Sequence, residues 1–292
     1  MNGWRAFVTG LRRMLRYPQV WFLVFAVNLF SALLLAVLPA LGLASGLGQR
    51  PAIFAAADGL DAWLVIETLM SSLSTAALGE SGAFPRATLL FAPLLVFVLP
   101  LVAWLPGAFL HGGLLLTYAE APQPFRWRRF LWGGWHWWGA FLLLGAVQGA
   151  VSAVLLLLTA TVAGIVAALG TWAVWIAAPL LVLLSMLGLA LLEFTRAFAI
   201  VDGTCNLAQA FGRATSLVLR RPLAVGLLYG LSFLLVGLLH AVFRLGLFPY
   251  LPLEMWPLVL VAQQAFIVLR LGTRLARLAG GITLLLAAAE PA

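Results

Sequence analysis

Charge is scarce in this chain. Only 9% of its 292 residues are charged, too few to cover the surface of a water-soluble domain of that size. Lysine is missing, so the 17 basic residues are all arginine, set against nine acids for a formal net charge of +8. The one cysteine, Cys205, excludes an internal disulfide and a thiol cluster for a metal. Paired carboxylates, a phosphate-cradling glycine loop, a nucleophile elbow and a metal motif are all lacking from the loops. The loops are also too short to hold a folded catalytic domain. These absences argue against an enzyme.

Apolar residues make up 64% of the chain. They gather into six runs, each about 20 residues or more, the length that spans hydrocarbon. The runs are Val20–Leu43, Thr88–Tyr118, Trp138–Leu169, Trp172–Ile200, Pro222–Phe243 and Pro252–Leu271. The first exceeds a signal-peptide core and follows a long, patterned arginine segment, so it reads as a span. The second is too long for one straight crossing, and Pro93, Pro100 and Pro106 predict a kink or break.

Arginine placement orients the chain. With a cytoplasmic N-terminus, the inner segments hold Arg5, Arg12, Arg13, Arg16, Arg126, Arg128, Arg129, Arg196, Arg213, Arg220, Arg221, Arg270, Arg274 and Arg277. The outer segments hold Arg50, Arg86 and Arg244. That asymmetry predicts a multi-pass protein of a bacterial inner membrane with both termini cytoplasmic.

A stretch from Pro124 to Phe141, PFRWRRFLWGGWHWWGAF, interleaves arginine with tryptophan. As a helix it puts Trp127, Leu131, Trp135 and Trp138 on one stripe, opposite Arg126, Arg129 and His136. Lying beside a span, it reads as an interfacial helix whose indoles sit at headgroup level, not as a nucleic-acid site. Two further stretches repeat the device. Trp4, Phe7, Leu11 and Leu15 oppose Arg5, Thr9, Arg12 and Arg16; Leu207, Phe211, Ala214 and Val218 oppose Asn206, Gln209, Arg213, Ser216 and Arg220. The expected architecture is therefore an all-α polytopic bundle in one membrane domain, residues 1–292. It comprises six spans in three hairpins, each preceded by a basic amphipathic helix, as a threefold repeat over 1–123, 124–203 and 204–292. Anionic headgroups are the expected partners of Arg12, Arg13, Arg16, Arg126, Arg128, Arg129, Arg213, Arg220 and Arg221. Gly145, Gly149 and Ala153, with Gly226 and Gly230, are expected to let the third and fifth spans pack inside.

The segment TRAFAIVDGTCNLAQAFGRAT, Thr195 to Thr215, running on to Arg220-Arg-Pro222, resembles one shared by uncharacterised bacterial six-helix membrane families. These include the membrane domain fused to some glycerophosphoryl diester phosphodiesterases. Arg196, Asp202, Gly203, Ala210 and Arg213 match the pattern; Gln209 replaces its usual acid, and Arg213-Ala-Thr its usual RSW. The similarity covers about thirty residues, and it implies the fold rather than an activity. No phosphodiesterase domain accompanies it.

Few polar residues fall within the runs. Glu193 and Arg196, three apart, are expected to form a local ion pair, with Arg270 snorkelling or joining Glu193. Asn28, Gln148, Gln263 and Gln264 are expected to bond between helices. No cofactor is expected, but His111 beside Gly112-Gly113 is the one candidate axial ligand for a haem or chlorophyll-type pigment. His240 lies in the opposite leaflet and cannot join it. Between the first two runs, Gln49–Arg86 reads as a surface helix with Asp58, Asp61 and Glu67 facing an outer partner. Together these features point to a structural, accessory or assembly role beside partner membrane subunits. The alternative is a transporter or permease for a lipid or small amphiphile.

Overall fold

The computed structural model describes residues 1–43, 104–169, 172–247, 250 and 256–289. Expectations for Pro93, Pro100, the Gln49–Arg86 helix and the start of the last run at Pro252 lie outside them. Every regular element among the described residues is helical: α1 (Gly3–Arg16), α2 (Pro18–Leu43), α3 (residues 104–119), α4 (Trp127–Leu169), α5 (Trp172–Asp202), α6 (Leu207–Arg220), α7 (Pro222–Ala241) and α8 (Trp256–Ala289). A π-helical turn, Val242–Leu247, continues α7. Among the described residues, four helices are long and apolar enough to cross a membrane: Trp127–Val154, Val182–Asp202, Pro222–Leu247 and Leu258–Ala288.

Two short helices follow one local plan. Asn2 Oδ1 accepts the Arg5 N–H at 2.9 Å and Asn206 Oδ1 accepts the Gln209 N–H at 3.1 Å, satisfying donors that the first helical turn leaves open. Both helices end after 14 residues, and a proline one position beyond the C-cap starts the next helix, Pro18 for α2 and Pro222 for α7.

Elsewhere the boundaries depart from the hydropathy runs. The arginine–tryptophan stretch is not a separate helix: α4 passes unbroken from Trp127 to Leu169. No proline interrupts it, and its weak point, Gly133-Gly134, is braced. A Cβ on Gly134 would meet the Phe109 ring of α3 at 2.7 Å, and one on Gly133 would meet Leu116 at 2.7 Å. Likewise α8 does not end at Leu271 but continues to Ala289. Arg270, Arg274 and Arg277 ended the apolar run in hydropathy terms, yet they do not end the helix, because arginine is a good helix former.

The chain forms two compact units. The first comprises Met1–Pro18, Gly107–His240 and Gly272–Ala292. Its core joins Ala6 and Phe7 of α1, Ala190 and Phe194 of α5, Ala214, Leu217 and Val218 of α6, Val225, Leu228 and Tyr229 of α7, and Leu284 of α8. The second comprises Gln19–Pro106 and Ala241–Leu271. There the Trp21 indole N–H donates to the Val268 carbonyl at 3.2 Å, and the Phe243 and Phe266 rings stack with centroids 4.7 Å apart.

The faces buried inside the protein are largely not the expected interfacial stripes. On α4 the stripe Trp127, Leu131 and Trp135 faces out, as an anchor would, while Phe130, Gly133, Gly134, Trp137 and Phe141 are buried. On α1 the buried face is Gly3, Ala6, Phe7, Gly10 and Met14; Trp4, Leu11 and Leu15 are exposed. Gly3 and Gly10 face the backbones of α7 and α8. A Cβ on Gly3 would strike the Ala224 carbonyl, and one on Gly10 the Ala276 carbonyl and the Gly280 amide. The glycines expected to close the third and fifth spans do not do so: Gly149, Gly226 and Gly230 have open space where a Cβ would sit. Close approach in this fold belongs to other glycines, because it is tight contact and not spacing that requires them.

Candidate functional site

Polar groups meet inside the first unit. Arg277 of α8 makes a two-pronged ion pair with Glu193 of α5, Nη2 to Oε1 at 2.7 Å and Nε to Oε2 at 3.1 Å. The Tyr229 hydroxyl of α7 donates to Glu193 Oε2 at 2.8 Å. The guanidinium carbon of Arg277 also lies 5.3 Å from the centroid of the Tyr229 ring and 5.8 Å from that of Phe233. Planarity lets the guanidinium serve both contacts, forking onto the carboxylate while lying over aromatic faces. Glu193 and Arg277 are 5% and 8% exposed. A buried pair of this kind must satisfy itself, because each charge left alone in a medium of low dielectric constant costs several kcal/mol. A void of about 10 Å³, room for one water, adjoins the cluster and is lined by Leu115, Glu193, Tyr229 and Arg277 among others.

The expected Glu193–Arg196 pair is therefore replaced. Arg277, not Arg196 or Arg270, holds the carboxylate. Arg196, 5% exposed, donates from Nη2 to Gln148 Oε1 of α4 at 2.9 Å. Gln148 thus makes the interhelical bond expected of it. Gln264 does not: its Oε1 is buried without a hydrogen-bond partner among the described residues. Helix rise places the cluster at matching depths, with Glu193 about 13 Å before the end of α5 and Tyr229 about 10 Å after the start of α7.

His111 is committed on both nitrogens. Nδ1 lies 2.6 Å from the Gly107 carbonyl, which accepts its proton, and Nε2 lies 3.1 Å from Arg274 Nη2 and accepts from it. The room expected beside Gly112-Gly113 for a flat macrocycle is filled. A Cβ on Gly112 would meet the Gly133 carbonyl, and one on Gly113 would meet the Phe130 ring at 2.7 Å. The residues present do not fit a haem or chlorophyll-type ligand at this histidine. Among the described residues no group of three histidines, cysteines or acids is placed to hold a metal ion.

The candidate headgroup arginines separate into free-standing and tethered groups. Arg12, Arg16, Arg126, Arg128 and Arg220 are exposed, and Arg221 is half-buried. Arg129 pairs with Glu120 at 2.6 Å and lies over the Trp132 ring, which in turn stacks on His136. Arg213 pairs with Asp202 at 2.6 Å. Arg13 donates to the Tyr118 carbonyl at 3.2 Å, beside the Tyr17 hydroxyl that donates to the Gln123 carbonyl at 2.7 Å. Burial pushes the Arg13 guanidinium down from its ordinary pKa, the Tyr17 side chain partly offsetting this.

Tyr229 and Arg277 escaped the sequence reading. Arg277 falls in the inner segment after the last apolar run, although Arg270, Arg274 and Arg277 recur at helical spacing with apolar neighbours, the mark of a continuing helix. Tyr229 carries no signal of its own: a single phenol in an apolar run is ordinary. Comparison with protein-family models, with curated proteins and with solved structures gave no match for this chain.

Proposed function

We propose that this chain is a non-catalytic integral membrane protein with a structural, accessory or assembly role, working as a subunit of a larger complex in a bacterial inner membrane. In this proposal it crosses six times in three hairpins, with both termini on the arginine-rich cytoplasmic side. The observation that carries it is the self-satisfied cluster of Glu193, Tyr229 and Arg277, with an adjoining void that has room for about one water. A solute path needs polar groups that face a cavity. Here they face one another, and they tie α5, α7 and α8 together.

Transport of a lipid or amphiphile is the second reading. It draws on α3, where the Trp104 indole N–H and the Tyr118 hydroxyl are buried without a hydrogen-bond partner among the described residues. Two measurements decide between them. In cells lacking the protein, quantitative membrane proteomics should show specific membrane subunits falling in abundance, and re-expression should restore them. In vesicles holding only the purified chain, a fluorescent phospholipid should cross no faster than in protein-free vesicles. Faster crossing, with membrane subunits unchanged in the deletion, would replace the accessory role by transport.

A further inference from the structure

The interior of the first unit holds an excess of positive charge. Among the described residues the buried charged side chains are Glu193, Arg196 and Arg277. Arg277 takes up both oxygens of Glu193, and Arg196 is left with a hydrogen bond to a neutral carboxamide. A guanidinium in a membrane-spanning helix is costly unless an anion accompanies it, and such residues mark sites of ligand or headgroup contact.

Geometry says which anion. Helix α5 has 31 residues and is about 46 Å long, against a hydrocarbon core of about 30 Å. Arg196 lies about 9 Å before the Asp202 end, in the last third of the apolar stretch Val182–Asp202. Its guanidinium is therefore nearer one end of the span than its middle, the side on which a long cationic side chain reaches toward lipid phosphates.

Two further features prepare the approach. On α4, the residues around Gln148 leave the surface open and low: Ala146, Gly149 and Ala150 are exposed, as are Val147 and Val151. On α8, the exposed Arg274 donates to His111 Nε2 at 3.1 Å, so a second cationic side chain of this unit stands at the surface.

We propose that Arg196 receives the phosphate of an anionic phospholipid headgroup from the arginine-rich leaflet, in a site distinct from the exposed arginines of α1, α4 and α6. Guanidinium geometry matches phosphate oxygens two at a time, and basic recesses between spans are a recurrent way of holding anionic lipids. The site would exist whether the chain serves as a subunit or a transporter.

The test supplies Arg196 with an internal anion. In Gln148→Glu the new carboxylate would stand where an oxygen already lies 2.9 Å from the Arg196 guanidinium, so the lipid would no longer be needed. Delipidated full-length protein in neutral detergent is melted with dioleoylphosphatidylglycerol, dioleoylphosphatidylcholine or inorganic phosphate. For the unmodified protein the Tm should rise by about 5 °C with saturating phosphatidylglycerol and stay within error with the other two. Q148E should fold and lose that rise. Arg244→Gln, which lowers the net charge by the same amount at an exposed site outside the headgroup arginines, should keep it. An equal rise in Q148E, an equal rise with phosphatidylcholine or inorganic phosphate, or no rise in the unmodified protein would each overturn the proposal.

Discussion

Helices α1 and α6 share a length of 14 residues, an asparagine N-cap and a proline that opens the next helix. They bury themselves differently. Helix α6 covers the core with side chains, Ala210, Ala214, Leu217 and Val218, and its Gly212 faces open space. Helix α1 turns glycine toward its neighbours, with Gly3 on α7 and Gly10 on α8 in backbone contact. One local plan therefore serves two kinds of seating. In the first, apolar area is removed from water, and loss is graded with the area. In the second, two backbones close to a distance that any Cβ prevents, and loss is abrupt.

The largest effect should come where both helices depend on one contact. Arg277 stands next to Ala276, which Gly10 of α1 touches, while Tyr229 of α7, the helix that follows α6, donates to Glu193. Arg277→Leu leaves Glu193 buried without its counter-ion and should lower stability by about 3–5 kcal/mol, read by thermal unfolding in detergent. A near-neutral result would mean that the pair does not hold these helices together. Next, Gly10→Leu should cost about 3 kcal/mol, the upper range for overpacking. Gly212→Ala in α6 should instead be neutral or stabilise by up to about 1 kcal/mol. Equal effects of these two substitutions would erase the contrast between the helices. Asn2→Ala and Asn206→Ala should each cost about 1 kcal/mol, a similarity that unfolding of the two single variants checks directly. The smallest change belongs to Arg213→Gln, which breaks a half-exposed pair with Asp202 and should cost less than about 1 kcal/mol. Raised salt should shrink it further.

Much of this fold could be read from composition, and the reasons are physical. Apolar length reports a span because a bilayer has a fixed thickness, so α5 and α7 lie close to where their runs predict them. The cap and proline signals of α1 and α6 are local, and local signals survive folding. Faces are another matter. Periodicity marked an apolar stripe on each short helix; on α6 the buried face shares Ala214 and Val218 with it, whereas on α1 Trp4, Leu11 and Leu15 of the stripe are exposed and Gly3 and Gly10 are buried. Hydropathy has no term for close backbone approach. Nor does spacing say which arginine meets Glu193: the neighbour in sequence, Arg196, lost to Arg277, 84 residues away. Charge reads as a boundary in a hydropathy window, so the last run stops at Leu271, short of the paired Arg277 that α8 carries on toward Ala289.

The unbroken course of α4 has a mechanical meaning. Its 43 residues make a rod about 65 Å long, more than twice the thickness of a hydrocarbon core of about 30 Å. Because no hinge separates the tryptophan-bearing end from the rest, that end cannot lie flat while the remainder stands upright. In hydrocarbon of that thickness such a rod fits only by leaning as a whole or by projecting beyond it, and a change in bilayer thickness changes that fit along its full length at once. Without a hinge the helix moves as one lever, so a small displacement at one end is carried to the other, magnified in proportion to the lengths on either side of its pivot.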